Sequence, residues 1–416
     1  MPRTVIYLSS CAIHEDGTPD PFLLQELPWL TAHFDKAHMV SHYGIAALTP
    51  AGVDLPLAKV GFAGGRAFAA ALFQRELWRE AGRMRRDGCL GLLPFLKLVM
   101  FTQRGLQMHY WTEKLLRGCT DAQTTLYACW MSFDGYAAAL SKRKHPQARF
   151  VVRGHAFDVD VERNSMNPYL MKGFIAGQAD GVYPISLAAK EQYMSYMEGR
   201  VEESKVRVLA MGSGGEPAKG CKRAPRFAQG IFRVVSCAML QPNKQVPVLA
   251  EALSMWQGGP LHWTHIGGGD GTEAFRRLAE EKLDSKDNII YELLGSLDRD
   301  QVSRVYVKKP FDVFVNTSKK EGVPVSIMEA MRNGIPVIAP AVGGIPELVT
   351  PEVGFLYPPE EGAAGVLRLL ETMNAMTEAE TERMRQAAWE RWNQCCCGAS
   401  LLPALFPEAV KKEREP

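Results

Sequence analysis

The stretch EGVPVSIMEAMRNGIPVIAPAVGGIPELV, residues 321–349, decides the reading of this chain. Its apolar spacing after Pro324 predicts a helix, then a buried strand at GIPVIAP, then a Gly-rich turn at GGIPELV that opens another short helix. Pro324 suits the first turn, where its missing N–H has no partner to lose and its φ is already helical. The amides of Val325 and Ser326 then point outward, and such a helix start, with its partial positive charge, can hold a diphosphate without a metal. Two glutamates, Glu321 and Glu329, flank that start. Glu329 shares a helix face with Ser326, so its carboxylate can accept two hydrogen bonds from the vicinal hydroxyls of a ribose. Glu321, in the loop before the helix, can do the same for hydroxyls of a sugar. The same residues also fit an amphipathic helix that carries two solvated glutamates.

At 416 residues the chain exceeds what one core usually organises, so two domains are expected. A hydrophobic content of 46% and a charged content of 23% are ordinary for a soluble globular protein. The formal net charge of +2 requires neither a phosphate-rich ligand nor an acidic membrane, and no nucleic-acid partner is expected. MPRTVIYLSS runs directly into a strand-like apolar segment and does not resemble a signal peptide. The longest apolar run, LGLLPFLKLVMF at 90–101, is too short to span a bilayer and contains Pro94 and Lys97. Of the nine cysteines, Cys11, Cys89, Cys119, Cys129, Cys221 and Cys237 are scattered, and Cys395, Cys396 and Cys397 are adjacent. Neither pattern supplies the separated ligand pairs of a zinc site, so reduced thiols in a cytoplasmic protein and no metal are expected.

Short apolar runs alternate with helical periods, as in doubly wound α/β domains. VIYLSS, AHMVSHYG, TTLYACW, RFVVRGH, GVYPIS and VRVLAMG are the expected strands of the first half; FLLQELPWLTAHF, the 70–86 segment and LMKGFIAGQ are its expected helices. A polar stretch, GSGGEPAKGCKRAPRFAQG, breaks the pattern at 212–230 and reads as a linker. FRVVSCAML, LHWTHIG, NIIYELLG, FDVFVNTS and GIPVIAP then restart it. The domains expected are 1–211, a linker at 212–230, 231–376, and a helical tail at 377–416.

Taken in order, the paired glutamates, the Pro-led helix, the GIPV strand and the GGIPE turn resemble the donor-binding core of the retaining glycosyltransferases of family 4. That resemblance implies an α/β chain of the GT-B fold, two Rossmann-like domains facing a central cleft, with the tail crossing back onto the first domain. It implies a nucleoside-diphosphate sugar as donor, with Glu321 on the sugar and Glu329 on the ribose, and Gly322, Val323, Pro324, Val325 and Ser326 lining the loop and helix start. FRVVSCAMLQPNKQVPVLAEAL at 232–253 is similar to the family's strand, turn and helix in which an Arg and a Lys bind the diphosphate. Lys244 occupies the lysine position, whereas Met239 stands where the family has the arginine, which removes a charge-assisted contact. HIGGGDG at 265–271 superficially suggests a dinucleotide fingerprint but lacks its spacing. ELLG, ending at Gly295, matches the strand end whose backbone reads the base.

In the first half, VVRGHAFDVDVER at 151–163 resembles a pattern of a bacterial subset that makes cell-surface polysaccharides, with Arg153, His155 and Asp158 at the matching positions. The resemblance makes His155 a partner of the donor sugar, catalytic together with Glu321. DPFLLQELPWLTAHFDKAHMV at 20–40 looks like the first helix and second strand of that subset; in the SSCAIHEDGTPD loop before it, Ser9 and Ser10 stand where the family often has a Gly pair. DVD at 158–160 mimics the metal motif of the other large glycosyltransferase fold, but the two-domain pattern needs no metal or other cofactor. The 60–118 region interleaves Arg79, Arg83, Arg85 and Arg86 with Trp78, Phe95, Phe101 and Trp111. It fits either a pair of packing helices with solvated arginines or a surface resting on anionic lipid, which suits a lipid-linked acceptor. The implied reaction moves a sugar to a saccharide or lipid-linked saccharide, with retention, beside the inner membrane surface. An epimerase or phosphorylase, a non-catalytic sugar-nucleotide binder and a dehydrogenase are the alternatives.

Overall fold

The computed structural model describes residues 2–9, 21–41, 44–50, 52–54, 65–155, 158, 170–197, 199–212 and 230–410. Residues 10–20 of the SSCAIHEDGTPD loop, Val159 and Asp160 of the DVD triplet, and most of the expected linker lie outside them. The chain forms two compact units, Met1–Gly214 with Leu401–Pro416, and Gly215–Ser400.

The first unit is built on seven strands: β1 (Thr4–Leu8), β2 (Lys36–Ser41), β3 (Gly44–Thr49), β4 (Gly52–Asp54), β5 (Thr124–Ala128), β6 (Arg149–Gly154) and β7 (Gly181–Pro184). Their order is β4-β3-β2-β1-β5-β6-β7. β1 is buried at every residue, as a parallel strand covered on both faces must be. β3 and β4 add an antiparallel edge that is not among the expected strands. GIAALT alternates buried and half-buried positions, the mark of a strand with one covered face. VRVLAMG makes no strand of its own; it runs beside β7 through one bridge, Val182 to Val206.

The first five helices are α1 (Pro21–His33), α2 (Gly65–Leu72), α3 (Arg75–Arg86), α4 (Leu92–Leu116) and α5 (Phe133–Lys144). The helix expected at 70–86 is thus two helices that break at Phe73 and Gln74. α4 and α5 pack closely at Gly105, where a Cβ would lie 2.4 Å from the Tyr136 ring. On the other face, Leu23, Leu27 and Leu30 of α1 form a core with Leu402, Leu405 and Phe406. Arg149 donates to the Leu405 carbonyl and fastens this segment to β6. The expected tail is therefore divided. Its helix Glu378–Cys395 belongs to the second unit, tied there by Arg385 to Asp312 at 3.0 Å, and only from Leu401 does the chain join the first.

The second unit has six strands, β8 (Phe232–Cys237), β9 (Leu261–Ile266), β10 (Ile289–Leu293), β11 (Val313–Val315), β12 (Val337–Pro340) and β13 (Gly354–Tyr357). They run parallel in the order β10-β9-β8-β11-β12-β13. The four-residue β13 was not expected from the sequence. This is the doubly wound order, and it reverses between β8 and β11, the place where open α/β sheets bind ligands beyond their carboxyl ends.

Candidate active site

The loops leaving β8 and β11 on either side of that reversal are laced together. Lys319 N–H donates to the Asn243 carbonyl at 2.8 Å, the Asn243 amide to the Lys320 carbonyl at 3.0 Å, and the Thr317 hydroxyl to the Lys244 carbonyl at 2.9 Å. This lacing brings Lys244 Nζ within 2.6 Å of Glu321 Oε1, although 77 positions separate them in sequence. The Glu321 side chain is only 9% exposed, so the pair is partly withdrawn from water and its charges are weakly screened.

The Gly-rich turn after β12 supports Glu321 from beneath. Gly343 has φ +54, and a Cβ there would lie 1.9 Å from the Glu321 carbonyl oxygen. Only glycine permits that approach. Gly344 N–H donates to the Gly322 carbonyl at 2.8 Å, which fixes the loop that runs through Gly322 and Val323. Pro324 then caps the helix Val325–Arg332 with extended backbone, φ −73 and ψ 121, so it stands one position before the helix and not in its first turn. Its missing N–H is harmless in either place. The amides of Val325 and Ser326 open the helix, where no carbonyl four residues back is available to them.

Glu329 lies on that helix, half-buried, and burial raises its pKa against the opposing charges of Arg299 and Arg332. It is coupled to Cys237, at the end of β8, whose thiol burial pushes up to about 12, and to Tyr306. Gly295 turns the chain after β10 with φ +70, and its carbonyl accepts from Gly267 N–H at 2.9 Å. HIGGGDG is a packing turn in this structure: a Cβ on Gly267 would meet the Ala238 carbonyl at 1.8 Å. Met239 is 57% exposed.

In the first unit, His155 follows β6 and is buried. Its Nε2 lies 2.9 Å from the Cys129 carbonyl, a distance that requires Nε2 to carry the proton, and its ring stacks on Trp130 at 4.1 Å. Burial, the largest cause, lowers its pKa to about 4 and keeps the ring neutral near pH 7, while Asp158 opposes the shift. Asp158 accepts from Met131 N–H at 3.2 Å, His155 N–H at 3.1 Å and Lys172 Nζ at 3.4 Å. Arg153 is also buried, held by Glu26 at 2.9 Å and by the carbonyls of Leu209 and Ala210. These two charged residues, expected from the motif as first-domain contacts, brace the strand ends around His155.

Sequence reasoning missed Asn243 and Thr317, which set the position of Lys244, and Arg299 and Arg332, which face Glu329. Arg332, three positions after Glu329 on one helix, and Asn243, next to Lys244, were within reach of spacing, whereas Thr317 and Arg299 act across junctions that only the fold creates. Among the described residues no group of three or more His, Cys, Asp or Glu could hold a metal ion. A lysine, free helix amides and two carboxylates at a switch point are suited to a polyhydroxylated anion.

Comparison with known proteins agrees with that chemistry. Residues 222–391 match the family described as glycosyl transferases group 1. The chain is 32% identical over 250 residues to the amylovoran biosynthesis glycosyltransferase AmsK of Erwinia amylovora, covering 57% of this chain and 58% of that protein. It is 29% identical over 190 residues to the putative colanic acid biosynthesis glycosyltransferase WcaL of Escherichia coli, covering 42% and 45%. The chain thus spans about half the length of the curated relatives it matches. Among solved structures, Anabaena HepE in complex with UDP superposes with a TM-score of 0.63 at 16% identity, over 99% of this chain and 100% of that one. A sucrose-phosphate synthase from Thermosynechococcus elongatus superposes at 0.65, also at 16% identity, over 99% and 100%. The fold is GT-B, and residues 222–391 are a glycosyl transferases group 1 domain.

Proposed function

We propose that the chain is a retaining glycosyltransferase that moves a sugar from a nucleoside-diphosphate sugar to a saccharide or lipid-linked saccharide in surface polysaccharide synthesis. The observation that carries this reading is the Lys244 and Glu321 pair at 2.6 Å beside the start of the Val325–Arg332 helix. As the glycosidic bond to the diphosphate breaks, positive charge develops on the sugar and negative charge on the leaving group. Lys244 and the amides of Val325 and Ser326 stabilise the leaving group, in the manner of other preorganised electrostatic sites. Glu321 holds the sugar, Glu329 the ribose, and the backbone at Gly295 the base; a role for His155 on the sugar rests on the family resemblance alone. The departing phosphate accepts the proton of the attacking hydroxyl on the same face, which retains the anomeric configuration. Neutralisation by Lys244 and the helix start needs no metal. The names of AmsK and WcaL and the UDP bound by HepE support the substrate classes. Cytoplasmic location and peripheral contact with the inner membrane surface belong to the same reading.

Met239 favours a second reading, a non-catalytic binder of sugar nucleotides, because an uncharged side chain replaces the expected arginine. A thermal-shift panel of nucleoside-diphosphate sugars tests both, since a ligand that binds only the folded state raises its melting temperature. Stabilisation by one donor together with its turnover is the expected result. Stabilisation without turnover on any acceptor selects the binder, and no shift with any nucleotide sugar overturns both.

A further inference from the structure

The loops that leave β8, β9 and β10 are zipped together at the carboxyl edge of the second sheet. Ala238 N–H donates to the Ile266 carbonyl, Leu240 N–H to the Gly268 carbonyl and Gly267 N–H to the Gly295 carbonyl, each at 2.9 Å. Gly268 lies so close to the next loop that a Cβ on it would stand 2.7 Å from the Ser296 hydroxyl. Met239, on the first of these loops, and the residues just after Ser296 therefore border one rim.

A firmly capped helix starts on that rim. The Gln301 N–H donates to Asp298 Oδ1 at 2.8 Å and the Asp298 N–H to Gln301 Oε1 at 2.9 Å, a reciprocal cap on the helix Arg299–Lys308. Val302 and Tyr306 of this helix are buried in the core. Arg299 stands three and seven positions before them, so it shares their inward face at the end nearer the strand termini. It is half-buried and faces Glu329. Among the described residues its guanidinium makes no ion pair or hydrogen bond. With five donors in a planar fork and no acceptor, it is suited to an oxyanion.

The charges around the switch point call for such a cation. Lys244 is already matched by Glu321 at 2.6 Å, and Glu329 adds a second carboxylate, so with Glu329 ionised these three groups carry a net negative charge. A nucleoside-diphosphate sugar adds a further negative charge on each phosphate, which the site must offset before it can bind. Arg332, the other cation facing Glu329, lies over the Trp392 ring at 5.6 Å, on the side of the helix Glu378–Cys395. Arg299 stands on the side of the rim.

We infer that Arg299 holds a phosphate of the donor nucleotide, adding the cation that Lys244, shared with Glu321, does not supply by itself. This role rests on the nucleotide-sugar reading above and gives its phosphate site a second positive side chain, drawn from the loop after β10 and not from the Met239 position.

The test is titration calorimetry of the full chain with UDP and uridine, and with ADP, GDP and dTDP and their nucleosides alongside, at low and high salt. Wild-type protein should bind one diphosphate more tightly than its nucleoside. Arg299→Gln should weaken that diphosphate by about tenfold, flatten its salt dependence and leave the nucleoside unchanged. Arg299→Lys, which keeps the charge but not the fork, should recover part of the loss. Arg304→Gln removes an equal charge from the exposed face of the same helix and should change nothing. Unchanged melting curves without nucleotide confirm that the variants fold. Diphosphate binding untouched by Arg299→Gln overturns the inference. So does an equal loss with Arg304→Gln, which would make Arg299 part of a general field, or an equal loss on diphosphate and nucleoside, which would place its action on the ribose through Glu329. Wild-type protein that binds no nucleoside diphosphate overturns the sugar-transfer reading as well, whereas the preceding outcomes leave that reading standing.

Discussion

Lys244 and Glu321 neutralise each other across a partly buried contact, so removing either leaves its partner's charge uncompensated. In the proposed site Lys244 also faces the diphosphate. Lys244→Ala should weaken nucleoside-diphosphate binding by about ten- to a hundredfold, the range of a lost charge-assisted hydrogen bond. Met239→Arg should act in the opposite sense. Its side chain is more than half exposed, so the longer arginine needs no core rearrangement, and titration calorimetry should show affinity rising by roughly fivefold with steeper salt dependence. An unchanged affinity would mean that position 239 does not face the diphosphate. At this scale the sequence was most legible where a motif is local: Glu321, Pro324 and Glu329 keep their spacing whatever the rest of the chain does. Arg153 and Asp158 were legible as a pattern but not as chemistry, because burial and partners distant in sequence, Glu26 and Lys172, commit their charges to the fold.

The turn after β12 controls the candidate site through Gly344, whose N–H donates to the Gly322 carbonyl, and Gly343, which packs against the Glu321 carbonyl. Gly343→Ala should therefore do two things. Its φ of +54 imposes about 1 to 2 kcal/mol of backbone strain on any L side chain, and its Cβ would overlap the Glu321 carbonyl, displacing the carboxylate that holds Lys244. Gly362→Ala is the matched control, since Gly362 has φ +51 with nothing within 4 Å of the added carbon. Both should lower the melting temperature, but only Gly343→Ala should also weaken donor binding; equal losses would detach the turn from the site. The GGIPE turn was readable because its glycines are a local signal. β3 and β4 were not, since both are short and the expected strand AHMVSHYG ended at Gly44, where β3 begins. The break between α2 and α3 falls at Phe73 and Gln74, neither of which is a helix breaker, so the periodicity ran through it.

For the whole molecule, the doubly wound α/β character followed from alternating apolar and helical segments and the tail's return from the resemblance, whereas the point at which the tail divides was not legible. Nothing in WERWNQCCC marks where a chain leaves one unit for another; the packing of Leu402, Leu405 and Phe406 against α1 decides it. Acid stability belongs to this scale too. His109, His155 and His265 are each lowered to about 4 by burial, and their unfolded value is near 6.5. As pH falls through that window the unfolded chain takes up protons that the folded chain refuses, so stability is lost by up to about 1.4 kcal/mol per pH unit for each histidine. Urea unfolding should have a lower midpoint at pH 5 than at pH 7, and His265→Gln should flatten the dependence in the second unit's transition while leaving the first unit's steep. The returning segment gives the sharpest test of the division itself. Phe406 is fully buried, stacked on Trp29 at 5.5 Å and edge-on to Tyr127 at 5.4 Å, and removing such a ring costs about 3 to 5 kcal/mol. Phe406→Ala should lower the unfolding transition of the first unit, because α1 loses part of the core that covers β1 and β5. The transition of Gly215–Ser400 should stay in place, since among the described residues the core of its sheet contains none after Ser400. A single transition that moves as one would show that the two units unfold cooperatively, and a shift confined to the second would refute the assignment of the segment to the first.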